Sequence, residues 1–411
     1  MSNGEFSLEA YTEFVGPGTI DEIRLLGERL RGRRVQNVNS TAVGGGVAEI
    51  LNRLVPLLRE VGVDAWWDVM RGGEEFFAVT KRLHNALHGE SVTFTSRDWE
   101  VFAATAEENL RTLDLNDDLV FIHDPQPIQL IKRRPPGSHL LWRCHIDLSA
   151  PAPGAWEFLQ PWVAQYEAAV FSAPQFAREL AIDQVLIAPS IDPLADKNKD
   201  LPPAYMESVM AGLGLDPTRP LVTQVSRFDR LKDPIGVIEA YQQARRYNDC
   251  QLLLVGGASS DDPEGHQVLT ECREKAGGDK DIHVLELPPD AHLEINALQR
   301  ASTVIVQKSL REGFGLTVTE ALWKAKPVIA TATGGIPLQV THKYSGILTH
   351  SIDGTAYWMK QLLNAPDYAR WLGRNGREHV RHNFLLIRQL RDYLLLSISL
   401  DHAHETLIRF D

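Results

Sequence analysis

Short apolar runs alternate with segments of helical period along the whole chain, and that alternation constrains the fold more than any other feature. It is the pattern of repeated βα units, so it predicts α/β architecture with parallel sheets. Strands are expected in the first half at residues 34–40, 65–70, 119–123, 140–145, 168–172 and 185–188. In the second half they are expected at 221–225, 252–255, 283–287, 304–307, 327–330 and 346–348. A helix is predicted over 47–61, where Val47, Ile50, Leu51, Leu54 and Leu58 recur on one face. Others are expected around 236–246, 319–324 and 357–363. The polar, proline-bearing stretch 190–203 separates the two sets, and 411 residues suit roughly two or three domains. The expected organisation is one Rossmann-like domain over 1–192 and a second over 193–384. A helical segment, 385–411, whose apolar run ends at Leu400, is expected to pack across both.

Two α/β domains facing each other would form a cleft lined by the carboxyl ends of both sheets, where ligands of this architecture bind. The unusual residues fall at those strand ends. Glu312 and Glu320 stand eight residues apart after the strand at 304–307, with Gly313-Phe314-Gly315 opening a helix between them. The first helical N–H groups and the helix dipole can hold an anion such as a diphosphate. Glu312 would face the ligand, and Glu320, two turns on, would reach sideways to a second polar group. That arrangement suits a nucleotide sugar, with one carboxylate on the sugar hydroxyls and one on the ribose. After the strand at 221–225 come Arg227 and Lys232. Arg can grip phosphate oxygens bidentately and Lys acts as a point charge, although a solvated charge cluster would explain the pair by itself.

After the first strand, Gly44-Gly45-Gly46 precedes a helix, where backbone can approach a ligand closely. The triplet fits neither G-x-G-x-x-G nor G-x-x-x-x-G-K-[ST], and a flexible turn would account for it equally. His123-Asp124 follows one first-half strand and Arg143-Cys144-His145 ends another. Acid and imidazole groups there can bind sugar hydroxyls and stabilise developing positive charge, whereas a lone histidine is more often structural. His84 and Asn85 are secondary candidates for an acceptor.

The net charge of -12, without a stripe of Lys and Arg, argues against nucleic acid as a partner. No apolar run approaches ~20 residues, so no membrane span is expected, and the N-terminus does not read as a secretory signal. A cytoplasmic address follows. Cys144, Cys250 and Cys272 show no C-x-x-C spacing, and neither a disulfide framework nor a metal site is expected. Two carboxylates near a sugar could also mean a glycosidase, but a hydrolase needs no diphosphate clamp. A two-lobed binding protein and a non-hydrolysing sugar-nucleotide epimerase share this architecture. The first would close on sugar without turnover; the second would release nucleoside diphosphate without an acceptor.

The glycine triplet, Ser226-Arg227-Phe228-Asp229 with Lys232, and the stretch from Glu312 to Glu320 together resemble the retaining glycosyltransferases of family 4, with the two-domain GT-B fold. The likeness runs over nearly the whole chain. Within that family, the first-half motifs around Val38–Ile50, Phe76–Gly89, His123–Pro127 and Trp142–Leu148 are similar to those of the trehalose glycosyltransferring synthases, as are 189–194 and 261–265. The resemblance implies reversible transfer of glucose from a nucleoside-diphosphate glucose to free glucose, giving trehalose with retention. It implies Arg227 and Lys232 on the diphosphate, helped by the backbone at Gly45 and Gly46. Glu312 would bind the donor glucose, flanked by Gly313, Phe314 and Gly315, and Glu320 the ribose. Asp124 and His145, with His84 and Asn85, would serve the acceptor and catalytic side. No cofactor is implied, Mg²⁺ being at most a stimulant, and the assembly implied is a homodimer. A retaining trehalose phosphorylase is the nearest rival, usually with a long extra N-terminal region. A trehalose-6-phosphate synthase would need further cations for the acceptor phosphate.

Overall fold

The computed structural model describes residues 7–42, 46–257 and 263–402, and it divides into two compact units, Met1–Ser190 with Leu386–Asp411, and Ile191–Leu385. In the first unit the strands are β1 (Arg34–Asn39), β2 (Asp64–Val69), β3 (Leu119–His123), β4 (His139–Cys144), β5 (Ala168–Phe171) and β6 (Asp183–Leu186). They form one sheet in the order β2-β1-β3-β4-β5-β6, every pairing parallel. In the second unit β7 (Leu221–Val225), β8 (Gln251–Gly256), β9 (Ile282–Glu286), β10 (Val304–Gln307), β11 (Val328–Thr331) and β12 (Ile347–Thr349) pair in the order β12-β11-β10-β7-β8-β9, again all parallel.

Helices cover both faces of the second sheet, and that explains its continuous apolar strands. Val222, Leu252, Leu254, Val304 and Val306 pack on one side with Val237, Ile238 and Tyr241 of helix Pro234–Ala244. Their neighbours Leu221, Val225, Leu253 and Val255 point to the other side, against Met210 and Leu298. Alternation is present, but both faces are dry.

The apolar C-terminal run has a similar cause. Helix Leu386–Asp401 packs on helices Pro17–Arg29 and Gly46–Glu60 of the first unit, burying Leu390, Tyr393 and Leu394. The chain thus leaves the first unit after Ser190 and re-enters it at Leu386. No described helix is long and apolar enough to cross a membrane.

In each sheet the strand order reverses beside the first strand, between β1 and β3 and between β7 and β10. Helices leave in opposite directions at such a point, and the loops after these strands are where sheets of this kind receive ligands. Asp124 follows β3, Arg227 and Lys232 follow β7, and Glu312 follows β10.

Candidate active site

In the second unit, β7 and β10 are paired neighbours, and the loops that follow them meet. After β7, the Asp229 carboxylate accepts from the Leu231 N–H at 2.8 Å, and the Gln224 side chain donates to the Lys232 carbonyl at 2.8 Å. These bonds aim Lys232 at the loop after β10. Its Nζ donates to both carboxylate oxygens of Glu312, at 2.8 Å each, and the Ser309 hydroxyl donates to Oε2 at 3.0 Å. The Leu310 N–H ties the two loops by donating to the Leu231 carbonyl at 2.7 Å. Below them Lys308 pairs with Asp233, which also caps helix Pro234–Ala244 by accepting from Gly236 N. Arg227 lies beside this cluster, more than half exposed, and pairs with Asp229 at 3.1 Å. The result is a fixed cation on a carboxylate next to a freer guanidinium. Such a set can receive a polyanion and a hydroxyl-rich group together.

Gly315, in the left-handed region at φ 84°, starts helix Leu316–Trp323. The Phe314 ring is buried edge-on against Phe384, with centroids 5.5 Å apart, so it packs the loop rather than facing solvent. The Gly313 carbonyl accepts from Gly335 N at 3.0 Å. Glu320 is buried on the helix, and its charge bears on Lys324. Burial pulls the Lys324 ammonium down to about 7, against the pull of Glu320. Lys324 Nζ donates to Asn198 Oδ1 and to the Glu320 carbonyl, at 3.2 Å each.

In the first unit, β3 and β4 are paired so that His123 lies opposite Arg143. Asp124 bends out of the strand at φ 65°, and its N–H donates to the Arg143 carbonyl at 2.8 Å. Its Oδ1 accepts from the His145 N–H at 2.7 Å, and its carbonyl accepts from the Trp142 indole at 2.9 Å. His123 Nδ1 is 3.0 Å from His145 Nε2, and His123 Nε2 is 3.0 Å from Asn37 Oδ1 on β1. Burial, with the Arg143 guanidinium nearby, pushes His123 down to about 3 and His145 well below the usual imidazole range. Both rings are neutral near neutral pH. Burial raises Asp124 to about 6, opposed by its bond from His145 N and by Arg143.

Asp124 therefore holds its proton more tightly in the folded protein than in the unfolded chain. Its contribution favours the fold below about pH 4 and declines as pH rises through about 6. Asp124→Asn keeps the acceptor oxygen without the charge. Between about pH 4 and pH 7 the wild type should lose about 2 kcal/mol relative to this variant. Urea midpoints at both pH values check this, and parallel pH dependence of the two proteins would refute it.

His84 and Asn85 lie half-buried near the end of helix Glu74–Leu87. The rings brought together there are His84 and His88, at 4.5 Å between centroids. Gly46 is the first residue of helix Gly46–Glu60, while Gly45 lies outside the described residues. Asn37, Ser309, Lys308 and Asp233 join the sites without having been singled out in the sequence. A polar residue inside an otherwise buried strand was the available signal for Asn37, which is 1% exposed.

Comparison with known proteins accords with both halves. Residues 37–178 match the family described as trehalose synthase, N-terminal domain, and residues 206–379 match glycosyl transferases group 1. A trehalose synthase of Pyrococcus horikoshii is 43% identical over 97% of this chain and 98% of its own. The chain belongs to the trehalose synthase family of glycosyltransferases. A second member, from Rubrobacter xylanophilus, is 42% identical over 97% of this chain and 98% of its own length. Among solved structures, an α,α-trehalose-phosphate synthase (UDP-forming) from Burkholderia xenovorans superposes with a TM-score of 0.69 at 15% identity, covering 90% of this chain and 100% of that one. At that identity the likeness speaks for the fold alone, which is GT-B. In this trehalose synthase family chain, the first match contains Asn37, Asp124 and His145, and the second contains Arg227, Lys232, Glu312 and Glu320.

Proposed function

We propose that this protein transfers glucose from a nucleoside-diphosphate glucose to the anomeric hydroxyl of free glucose, reversibly and with retention, giving α,α-1,1-linked trehalose. The observation that carries this reading is the Lys232–Glu312 pair at the carboxyl ends of β7 and β10, with Arg227 beside it. A diphosphate would draw on Arg227 and Lys232. Glu312 would then take up donor glucose hydroxyls, and Glu320 the ribose. In the first unit Asp124 and His145 bind sugar hydroxyls, with His84 and Asn85 as secondary groups for the acceptor. The bond from C1 to the diphosphate oxygen breaks while the bond from C1 to the acceptor oxygen forms on the same face. The acceptor's proton passes to the departing phosphate oxygen. The two cations stabilise the charge that builds there, so a divalent ion is not required.

The test is purified protein with glucose and, separately, ADP-, UDP- and GDP-glucose. Trehalose and nucleoside diphosphate should appear in equal amounts, and only when glucose is present. Release of glucose 1-phosphate from trehalose plus inorganic phosphate, with no diphosphate formed in the first assay, would overturn the reading. So would a clear preference for glucose 6-phosphate as acceptor.

A further inference from the structure

Asn37 sits on β1 with its side chain buried, although nothing about a central strand requires an amide there. Its Oδ1 lies 3.0 Å from His123 Nε2, and His123 Nδ1 lies 3.0 Å from His145 Nε2. The two imidazoles are nearly parallel, 16° apart. A neutral imidazole carries one N–H and one lone pair, so two contacts in series must run in a single direction. Asn37 Oδ1 can only accept, which places the His123 proton on Nε2 and makes Nδ1 an acceptor. His145 must then donate from Nε2. Its Nδ1 is left with a lone pair, and the described residues supply no hydrogen bond to it. His145 is itself partly exposed at the strand end.

We propose that Asn37 is a positioning residue which, through His123, fixes His145 as the Nε2–H tautomer, so that His145 Nδ1 accepts a hydrogen bond from a sugar hydroxyl. The second half rests on the sugar-binding role given to His145 above; the first half does not. Burial and the Arg143 charge keep both rings neutral, and a neutral ring is the condition for a tautomer to be set by a neighbour's polarity. The charged or titratable groups around the chain include Arg143, Asp124, Asp147, Tyr393 and the Cys144 thiol, which burial raises well above its usual range. None of them contacts Asn37 Oδ1 in place of His123. Asp124 meets His145 at the backbone N–H, so it holds the residue without choosing its tautomer.

The measurement is the ring nitrogen resonances of the full-length protein labelled with ¹⁵N-histidine, His145 being assigned by its loss in His145→Gln. The wild type should show a protonated Nε2 and an unprotonated Nδ1 on both His123 and His145. Asn37→Leu should mix the tautomers of both rings and lower kcat about 10-fold, the loss of one positioned hydrogen bond, with KM for the nucleotide sugar unchanged. Asn37→Asp, which can accept but not donate, should restore the Nε2–H form and most of the turnover. His145 protonated at Nδ1 in the wild type would overturn the proposal, and this arm does not depend on any variant folding. Mixed tautomers in Asn37→Leu with undiminished kcat would overturn the role of His145 toward sugar, while leaving the donor reading to be judged by its own assay.

Discussion

Lys232→Ala is expected to lower kcat by about 100-fold or more, the effect of deleting a preorganised donor that faces developing charge. Arg227→Ala should do the same to turnover, but the two variants should differ in stability. Arg227 is more than half exposed and pairs with nearby Asp229, an exposed pair whose loss changes stability little. Lys232 is mostly covered and donates to both oxygens of a carboxylate whose side chain is 9% exposed. Without Lys232, Glu312 keeps the Ser309 hydroxyl among the described residues, and a largely buried carboxylate without its cation costs about 2 kcal/mol or more. Pairing Lys232→Ala with Glu312→Gln should recover most of that stability and none of the turnover. Denaturant midpoints and initial rates on the three variants read this directly. Normal turnover in either single alanine variant would remove the basis for a diphosphate clamp at this place.

Gly334→Ala should be the most disruptive single methyl added to the second unit's site. Gly334 is at φ 53°, a left-handed conformation, and a Cβ built there would lie 1.5 Å from the Glu312 carbonyl oxygen. Both features penalise any side chain, and the second cannot be relieved without moving backbone. The segment that would move is the one holding Glu312, already tied on its far side by Lys232 and Ser309. The expected result is a loss of about 3 kcal/mol or more, together with a large fall in kcat/KM because Glu312 is pushed off its pair. A soluble variant with wild-type turnover would mean that the loop after β11 does not set the position of Glu312.

The twelve strands among the described residues were legible, to within a residue or two at their ends, because most of them are short apolar runs between helical segments. Helices were less so. Pro366–Asn383 is long and amphipathic, yet its outer face is so rich in Arg, His and Asn that its buried residues, Ala369, Leu372 and Val380, were not picked out. The apolar run after Leu385 was legible as a helix, but its home in the first unit was not, since periodicity identifies a face and not its partner.

The site divides in the same way. Sequence alone marked out which loops could carry chemistry, because Arg227, Lys232, Glu312, Asp124 and His145 are polar residues in the segments that follow predicted strands, and strand ends are where parallel sheets bind ligands. Tertiary structure decided which of them touch. Pairing of β7 with β10 joins Lys232 to Glu312 across eighty positions of chain, and pairing of β3 with both β1 and β4 lines up Asn37, His123 and His145. It also placed the Phe314 ring in the core. Strand order and register are long-range properties, set by which faces bury together, and no local pattern of residues encodes them.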